Sequence, residues 1–332
     1  MATVYLTDYM SPPIDIEEAE IGSLARVECL RARSPEALIG RVNDADALLV
    51  FHEVTIPSTV IDVLDRCRVI VRCGVGYDNV DLQAAGRRGI PVCNVPDYGV
   101  DEVADHAIAL MLACHRGLLL AERRLREPLA PWNYLAVRPA FRLSEATMGI
   151  VGLGRTGTAT AMRAKALKMR VLACDPYIPA GIDKAVGVQM ADLDTLLRES
   201  DVVSLHVPLT SETRRLIDAA ALSKMKPHAI LVNTARGAVV DTDALAEALR
   251  SERIAAAGID VLPVEPPTPD LPLIALWRER RERPVNLVLT PHSAFYSEGA
   301  LVEMRAKGAR EVARVLRGEP PRNCVNTHCL RR

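Results

Sequence analysis

The stretch that decides the fold is residues 148–157, which read MGIVGLGRTG. It sets Gly152, Gly154 and Gly157 in a G-x-G-x-x-G pattern, after an apolar run and before a helical stretch. A second apolar run ends at Asp175, 18 residues beyond Gly157. A strand, a glycine turn, a helix and a second strand with an acidic end are together typical of a dinucleotide-binding βαβ unit.

The parts of this motif have separate physical roles. The glycines permit a tight turn and a close approach of backbone to a pyrophosphate, while the N–H groups at the start of the helix face the phosphates. We expect Asp175 to accept hydrogen bonds from the ribose hydroxyls; its charge would repel a 2′-phosphate, which favours NAD over NADP. An ordinary turn that binds nothing is the alternative. The predicted cofactor contacts in the turn are Gly152, Leu153, Gly154, Arg155, Thr156 and Gly157.

Short β-branched runs alternate with helical patterns along the whole chain, which indicates an α/β protein with parallel sheets. The first series of predicted strands is 3–6, 26–30, 48–51, 69–73 and 91–94, with a helix at 57–67. The second series is 148–152, 170–174, 202–206, 230–233, 256–261 and 287–290. We therefore expect two doubly wound parallel-sheet domains, a flavodoxin-like one followed by a Rossmann one.

The composition agrees with two globular domains and excludes several classes of protein. The 332 residues are 25% charged and 49% hydrophobic, and 41 basic residues balance 42 acidic ones. This balance argues against a general nucleic-acid binder. No apolar run reaches the roughly 20 residues of a membrane span, and the N-terminus lacks a signal-peptide pattern, so we expect a cytoplasmic protein with reduced cysteines. Cys324, His328 and Cys329 lie close in sequence, but without a fourth ligand they predict no metal site.

Several longer segments resemble the D-isomer-specific 2-hydroxyacid dehydrogenase family, from about residue 49 to residue 326. They are CGVGYDNVD (73–81), CNVPDYGVDEVADHAIALML (93–112), GIVGLGRTG (149–157), CDPY (174–177), SLHVPLTSETRRLI (204–217), LVNTARGAVVD (231–241), AGIDVLPVEPP (257–267) and TPHSAFYSE (290–298). The segments CDPY and FYSE and the ending NCVN resemble the C-terminal-binding-protein branch most. The resemblance implies an NAD-dependent oxidoreductase that interconverts a small 2-oxo acid and its D-2-hydroxy acid.

The same resemblance implies a catalytic trio of Arg236, Glu265 and His292. His292 would donate the proton during reduction, Glu265 would orient the imidazole, and Arg236 would bind the substrate carboxylate through its planar fork. Taken alone, each of the three is typical of an ordinary surface or loop residue. The further cofactor contacts implied are His206, Val207, Pro208, Thr213, Thr234, Ala235, Arg236, Asp260 and His292. The substrate contacts implied are Val75, Gly76, Arg236 and His292.

The domain organisation and assembly are also expectations. The residues after 290 include a final helix, and the family pattern returns it to the first domain. We therefore expect a substrate-binding domain of residues 1–102 plus 297–332 and an NAD domain of residues 103–296. One long helical pattern at 101–126 and a proline-broken arm at 127–143 resemble dimer elements of the family, which implies a homodimer. Alternatively, the helix fills the space between domains.

Two departures from the family pattern bear on function. Phe295 stands where the C-terminal-binding-protein branch usually has tryptophan, and the stretch before His292 is longer, with extra residues within 273–283. The four arginines of that stretch form a solvated face or attract an anionic substrate. The second functional hypothesis is an NAD(H)-sensing scaffold like the animal corepressors. Those proteins carry long tails that this sequence does not include, and this favours the enzyme.

Overall fold

The computed structural model describes residues 1–126, 132–134, 140–279 and 285–330. The chain divides into two compact units. The first comprises Met1–Gly99 and Ser297–Arg332, and the second comprises Val100–Tyr296. The predicted arm at 127–143 and the extra stretch at 273–283 fall partly outside the described residues.

The first unit is built on a five-stranded parallel sheet. Its strands are β1 (Ala2–Leu6), β2 (Ala25–Cys29), β3 (Ala47–Val50), β4 (Val69–Arg72) and β5 (Val92–Asn94). Its helices are α1 (Asp15–Ile21), α2 (Ser58–Ile61), α3 (Leu82–Arg87) and α12 (Glu298–Leu316). The strand order is β2-β1-β3-β4-β5, which is the flavodoxin-like order. Every residue of β3, β4 and β5 is buried, as expected for parallel strands that are covered on both faces.

The second unit is built on a seven-stranded sheet. Its strands are β6 (Thr147–Val151), β7 (Arg170–Cys174), β8 (Gln189–Met190), β9 (Val202–Leu205), β10 (Ile230–Asn233), β11 (Ala256–Ile259) and β12 (Asn286–Leu289). Its helices are α4 (Val100–His115), α5 (Leu118–Leu125), α6 (Arg155–Ala166), α7 (Ile182–Val186), α8 (Leu193–Glu199), α9 (Ala219–Lys224), α10 (Thr242–Arg250) and α11 (Pro272–Arg278). The order β12-β11-β10-β9-β6-β7-β8 is the Rossmann order with one strand added at an edge. The predicted fold class, α/β with two parallel sheets, is confirmed.

The carboxyl ends of the strands in this second sheet lie at one edge, because all of its pairs are parallel. The glycine turn follows β6, and the segments with Arg236, Glu265 and His292 follow β10, β11 and β12, which are neighbours. A doubly wound sheet binds ligands at this edge. The fold thus gathers residues that are far apart in sequence.

The single long helix predicted at 101–126 is wrong. Gly117 adopts a left-handed φ of 56° and separates α4 from α5, which are bent by 53° relative to each other. Glycine takes this conformation without the steric cost of a Cβ. No single helix among the described residues is long and apolar enough to cross a membrane, although α4 and α5 together reach that length and composition. Helix α4 packs against α6 and against β10 and β11 of its own unit.

Two smaller predictions also need correction. The helix predicted at 57–67 is an α-helix only over Ser58–Ile61. Pro57 is its N-cap, and turns follow it. The sheet has a strand that the six-strand prediction omits, Gln189–Met190, which is too short to show an apolar pattern. Helix α6 begins at Arg155, directly after Gly154, so Arg155 and Thr156 belong to its first turn.

Candidate active site

The glycine turn after β6 is shaped by close contacts. Gly152 has a left-handed φ of 93°, and a Cβ on it would lie 2.8 Å from the carbonyl carbon of His206 and 2.9 Å from Cγ1 of Val207. A Cβ on Gly157 would lie 1.9 Å from the carbonyl oxygen of Gly152. Gly154 is the N-cap of α6, and no described residue beyond its chain neighbours comes within 4 Å of its Cβ position. Two glycines therefore allow the turn to pack, and the third leaves open space at a helix N-terminus.

Asp175 directly follows β7, and both of its carboxylate oxygens accept backbone hydrogen bonds. Oδ2 accepts from the N–H of Leu153 at 2.8 Å, and Oδ1 accepts from the N–H of Tyr177 at 2.9 Å. The first bond joins the carboxylate to the glycine turn, so the structure brings the two parts of the predicted motif together. Since a carboxylate has about four acceptor positions, two remain for the hydroxyl groups of a ligand.

The segment after β9 is fixed by its own side chains. The N–H of His206 donates to the carbonyl of Val151 at 2.7 Å, and its Nε2 lies 2.8 Å from the hydroxyl of Ser204. Burial lowers the pKa of His206 to about 4, so this imidazole is neutral at pH 7. The hydroxyl of Thr213 donates to the carbonyl of Pro208 at 2.6 Å and closes the loop. These contacts hold the backbone beside the glycine turn.

The loop after β10 carries Arg236. The side chain of Asn233 accepts from the N–H of Ala235 at 3.0 Å and donates to the carbonyl of Arg236 at 3.0 Å, which holds the loop at both ends. The guanidinium of Arg236 donates from Nη1 to the carbonyl of Ala235 at 2.8 Å. The hydroxyl of Thr234 is buried, and it has no hydrogen-bond partner among the described residues. A buried hydroxyl without a partner is costly, so Thr234 suits a site completed by a ligand.

Gly237 brings the Arg236 loop against the next loop of the site. A Cβ at Gly237 would lie 1.9 Å from the carbonyl carbon of Leu262. Leu262 is in turn bound to the Glu265 side chain, because its N–H donates to Oε1 at 2.7 Å. The loops that follow β10 and β11 therefore touch through backbone atoms.

Glu265 and His292 form a direct pair. Oε2 of Glu265 lies 2.6 Å from Nδ1 of His292. Phe295 packs its ring edge-on to the imidazole, with centroids 6.3 Å apart. His292 has a left-handed φ of 52°, which is uncommon for a residue with a side chain. The surrounding bonds must therefore hold this backbone in place.

Glu265 is ionised in this pair. Burial alone raises the pKa of its carboxyl, but the hydrogen bond and charge of His292, the N–H of Leu262 and the charge of Arg236 together lower it below the ordinary value of 4.5. A carboxylate in contact with imidazole stabilises the protonated ring. The pair is thus arranged to hold and release one proton.

The carboxylate of Asp260, one of the predicted cofactor contacts, is hydrogen-bonded within the protein. It accepts from the backbone N–H groups of Ser293 and Ala294 and from the hydroxyl of Thr290. His106, to which the sequence assigned no role, lies 2.9 Å from that hydroxyl. Nothing local in the sequence reports a contact between residues 184 positions apart.

The loop with Val75 and Gly76 belongs to the first unit. Its carbonyl groups are engaged: Val95 donates to Gly74 at 3.0 Å and Asn94 donates to Val75 at 2.7 Å. Within the described part of the chain, no hydrogen bond engages the N–H groups of Val75 and Gly76. Two free, adjacent N–H groups can bind an anion.

The residues present fit a dinucleotide cofactor. The open N-terminus of α6 would take the pyrophosphate with the N–H groups of Arg155 and Thr156, Asp175 would take the ribose, and Thr234 offers a buried hydroxyl. Among the described ranges, no group of three His, Cys, Asp or Glu side chains could hold a metal ion, and the eight cysteines are free thiols.

Two parallel sheets, a glycine turn and a histidine–carboxylate pair are typical of two-domain α/β dehydrogenases with a dinucleotide-binding domain. The chain belongs to the D-isomer specific 2-hydroxyacid dehydrogenase family: residues 108–294, more than half of the chain, match the NAD binding domain of that family. The protein is thus an enzyme of the D-2-hydroxyacid dehydrogenase family.

Curated relatives support the family along most of the chain. D-3-phosphoglycerate dehydrogenase of Archaeoglobus fulgidus is 40% identical over 300 residues, which cover 90% of this chain and 55% of that protein. This chain therefore spans about half the length of that relative. Glyoxylate reductase of Korarchaeum cryptofilum is 41% identical over 302 residues, which cover 90% of this chain and 88% of that protein. Neither relative is a C-terminal-binding protein, so these comparisons do not support the narrower branch.

Solved structures share the fold. D-lactate dehydrogenase from Aquifex aeolicus, complexed with NAD and lactic acid, is 29% identical with a TM-score of 0.84, covering 95% of this chain and 96% of that one. The NADPH-dependent glyoxylate/hydroxypyruvate reductase of Sinorhizobium meliloti, in complex with NADP and malonate, is 28% identical with a TM-score of 0.84, covering 100% of this chain and 98% of that one. Proteins with this fold thus take either cofactor.

Proposed function

We propose that this protein is an NAD-dependent oxidoreductase that interconverts a small 2-oxo acid and its D-2-hydroxy acid. The observation that carries the proposal is the 2.6 Å contact between Glu265 and His292, in a unit whose glycine turn fits a dinucleotide. Reduction of a 2-oxo acid needs a hydride at the carbonyl carbon and a proton at its oxygen. Bound NADH supplies the hydride.

His292 donates the proton in reduction and accepts it in oxidation. Its Nδ1 is held by Glu265, and in this proposal the other ring nitrogen, Nε2, exchanges the proton with the reacting oxygen. Glu265 keeps the ring oriented and stabilises its charged form. The edge of Phe295 fixes one side of the imidazole.

Arg236 binds the substrate through its planar guanidinium, which suits the two oxygens of a carboxylate. The side chain of Asn233 holds the Arg236 loop. In the first unit, the N–H groups of Val75 and Gly76 offer a place for an anionic group such as a carboxylate. We assign the substrate-binding role to the first unit and the cofactor-binding role to the second.

NAD(H) is the preferred cofactor. The Asp175 carboxylate stands at the end of β7, bound to the glycine turn, and it would repel a 2′-phosphate. The dissociation constants of NADH and NADPH test this directly. Asp175→Asn should narrow the difference between the two dissociation constants. The control substitution Asp183→Asn should leave that difference unchanged. Equal binding of both cofactors by the unmodified protein would refute the assignment.

A panel of 2-oxo acids tests the activity. Glyoxylate, hydroxypyruvate, pyruvate and a phosphorylated hydroxypyruvate are each mixed with the protein and NADH, and the loss of NADH absorbance is followed. We expect turnover of at least one acid, and His292→Ala should lose about 10²–10⁴-fold of it while still binding NADH. Binding of NADH without turnover of any acid would favour the scaffold hypothesis.

The homodimer remains part of the proposal. It rests on the resemblance of the α4 segment and the following arm to dimer elements of the family. An obligate homodimer commonly buries over about 2,000 Å². Light scattering at micromolar concentration measures the mass, and a monomer would contradict it.

A further inference from the structure

The loop that carries His292 is organised around one buried carboxylate, that of Asp260. Oδ1 accepts from the hydroxyl of Thr290 at 2.6 Å and from the N–H of Ser293 at 2.9 Å, and Oδ2 accepts from the N–H of Ala294 at 3.0 Å. The carbonyl of Asp260 accepts from the N–H of His292 at 2.8 Å. One residue thus binds four residues of the loop, including the one with the left-handed backbone.

His106 joins this arrangement from a different element. It lies on α4, which packs against β10, β11 and β12 of the same unit. Its Nε2 is 2.9 Å from the hydroxyl oxygen of Thr290 and 3.5 Å from Oδ1 of Asp260. The Asp260 side chain is fully buried, whereas the side chain of His106 is 24% exposed. His106 therefore connects Asp260 to the partly exposed face of α4.

The direction of the hydrogen bonds follows from the chemistry of the three groups. The side chain of Asp260 accepts three hydrogen bonds. The one hydrogen of the Thr290 hydroxyl points at Asp260, which leaves its oxygen as an acceptor toward His106. Nε2 of His106 must therefore carry a hydrogen. The chain of donors runs from His106 through Thr290 to Asp260.

We propose that His106 is a positioning residue for His292. This proposal rests on the proposed function, because it takes His292 as the proton donor. The N–H of His106 donates to the Thr290 hydroxyl oxygen and so fixes that hydroxyl on Asp260. Without it, Asp260 holds the loop less firmly, and His292 leaves the orientation that its strained backbone and Glu265 require. His106 itself touches neither substrate nor cofactor in this role.

Two substitutions at one position separate positioning from simple packing. His106→Leu fills the space but removes the donor, whereas His106→Gln offers an amide N–H at a similar reach. We expect His106→Leu to lower kcat for the best 2-oxo acid about ten-fold, which is the worth of one hydrogen bond to a charged network. KM for NADH should change less than about two-fold, and His106→Gln should restore most of kcat. His328→Leu, in the exposed C-terminal segment of the first unit, is the matched control.

A second readout does not depend on turnover. The proton between Nδ1 of His292 and Glu265 should give a downfield NMR signal, which is identified by its loss in Glu265→Gln. His106→Leu should shift or broaden that signal, and His106→Gln should retain it. If the unmodified protein reduces no 2-oxo acid, the proposed function fails, yet this signal still tests the position of His292.

Three outcomes would overturn the proposal. An unchanged kcat and an unchanged signal in His106→Leu would show that the loop does not depend on His106. A His106→Gln variant as impaired as His106→Leu would show that the donor is not what matters. A loss of kcat accompanied by equal losses of NADH affinity and thermal stability would show a general packing role.

Discussion

Nδ1 of His292 lies 2.6 Å from Oε2 of Glu265, while the other oxygen of Glu265 accepts the N–H of Leu262. The carboxylate is therefore held at both ends and cannot turn away from the imidazole. This geometry lowers the pKa of Glu265 below its ordinary value of 4.5, despite burial that acts in the opposite direction. The pair therefore combines an anion fixed in place with an imidazole held in one orientation.

Glu265→Gln should move the pH dependence of reduction. Reduction needs the protonated imidazole, and removing the carboxylate removes the charge that favours it. As pH rises, the reductive rate of Glu265→Gln should therefore begin to fall at a lower pH than that of the unmodified enzyme. The measurement is kcat against pH with saturating NADH, beside an exposed control, Glu247→Gln. Superimposable pH profiles for Glu265→Gln and the unmodified enzyme would contradict the assigned role.

His206 should make the protein less stable in mild acid. Burial lowers its pKa from 6.5 to about 4, so between these values the unfolded chain binds a proton that the folded chain does not. Above pH 6.5 His206 is neutral in both the folded and the unfolded state, so it does not reduce the free energy of unfolding. As pH falls toward 4, the unfolded state binds more protons than the folded state, and the free energy of unfolding decreases. By pH 5 the free energy of unfolding should have decreased by about 1–2 kcal/mol.

The test for His206 compares unfolding at two pH values. Tm is measured at pH 7 and pH 5 for the unmodified protein, for His206→Gln and for the exposed control His328→Gln. The decrease of Tm between the two pH values should be smaller in His206→Gln, whose amide can still hydrogen-bond the hydroxyl of Ser204. Equal decreases in all three proteins would show that His206 is protonated in the folded state.

Much of the fold could be predicted because its signals are local. The apolar runs at 69–73 and 170–174 differ from β4 and β7 by one residue at most. The break at Gly117 was missed because glycine tolerates both helical and left-handed conformations, and the apolar pattern continues past it. The contact of His106 with Thr290 has no local signal, since it depends on how α4 packs beside β12.

Removing one partner of the buried ion pair of Glu17 and Arg305 should strongly destabilise the first unit. Nε and Nη2 of Arg305 donate to the two oxygens of Glu17 at 2.8 and 2.6 Å, and the Glu17 side chain is fully buried. Removing one partner leaves an uncompensated charge, at a cost of about 3–5 kcal/mol. Arg305→Met should therefore lower the free energy of unfolding in urea strongly. The double variant Glu17→Leu/Arg305→Met should be more stable than Arg305→Met alone, and the opposite order would contradict this.

Gly154 and Gly157 should respond differently to the same added methyl group. A Cβ on Gly157 would lie 1.9 Å from the carbonyl oxygen of Gly152, so Gly157→Ala must displace the helix from the strand and lower Tm. Gly154 has a φ of −71°, which alanine adopts freely, and its Cβ position is open. Gly154→Ala should therefore fold with nearly unchanged Tm. Its methyl group would occupy the space that we assign to the pyrophosphate, and NADH should bind at least about ten-fold more weakly. Tm and the NADH dissociation constant are measured for both variants; a Gly154→Ala protein that binds NADH normally would show that the pyrophosphate does not lie at the start of α6.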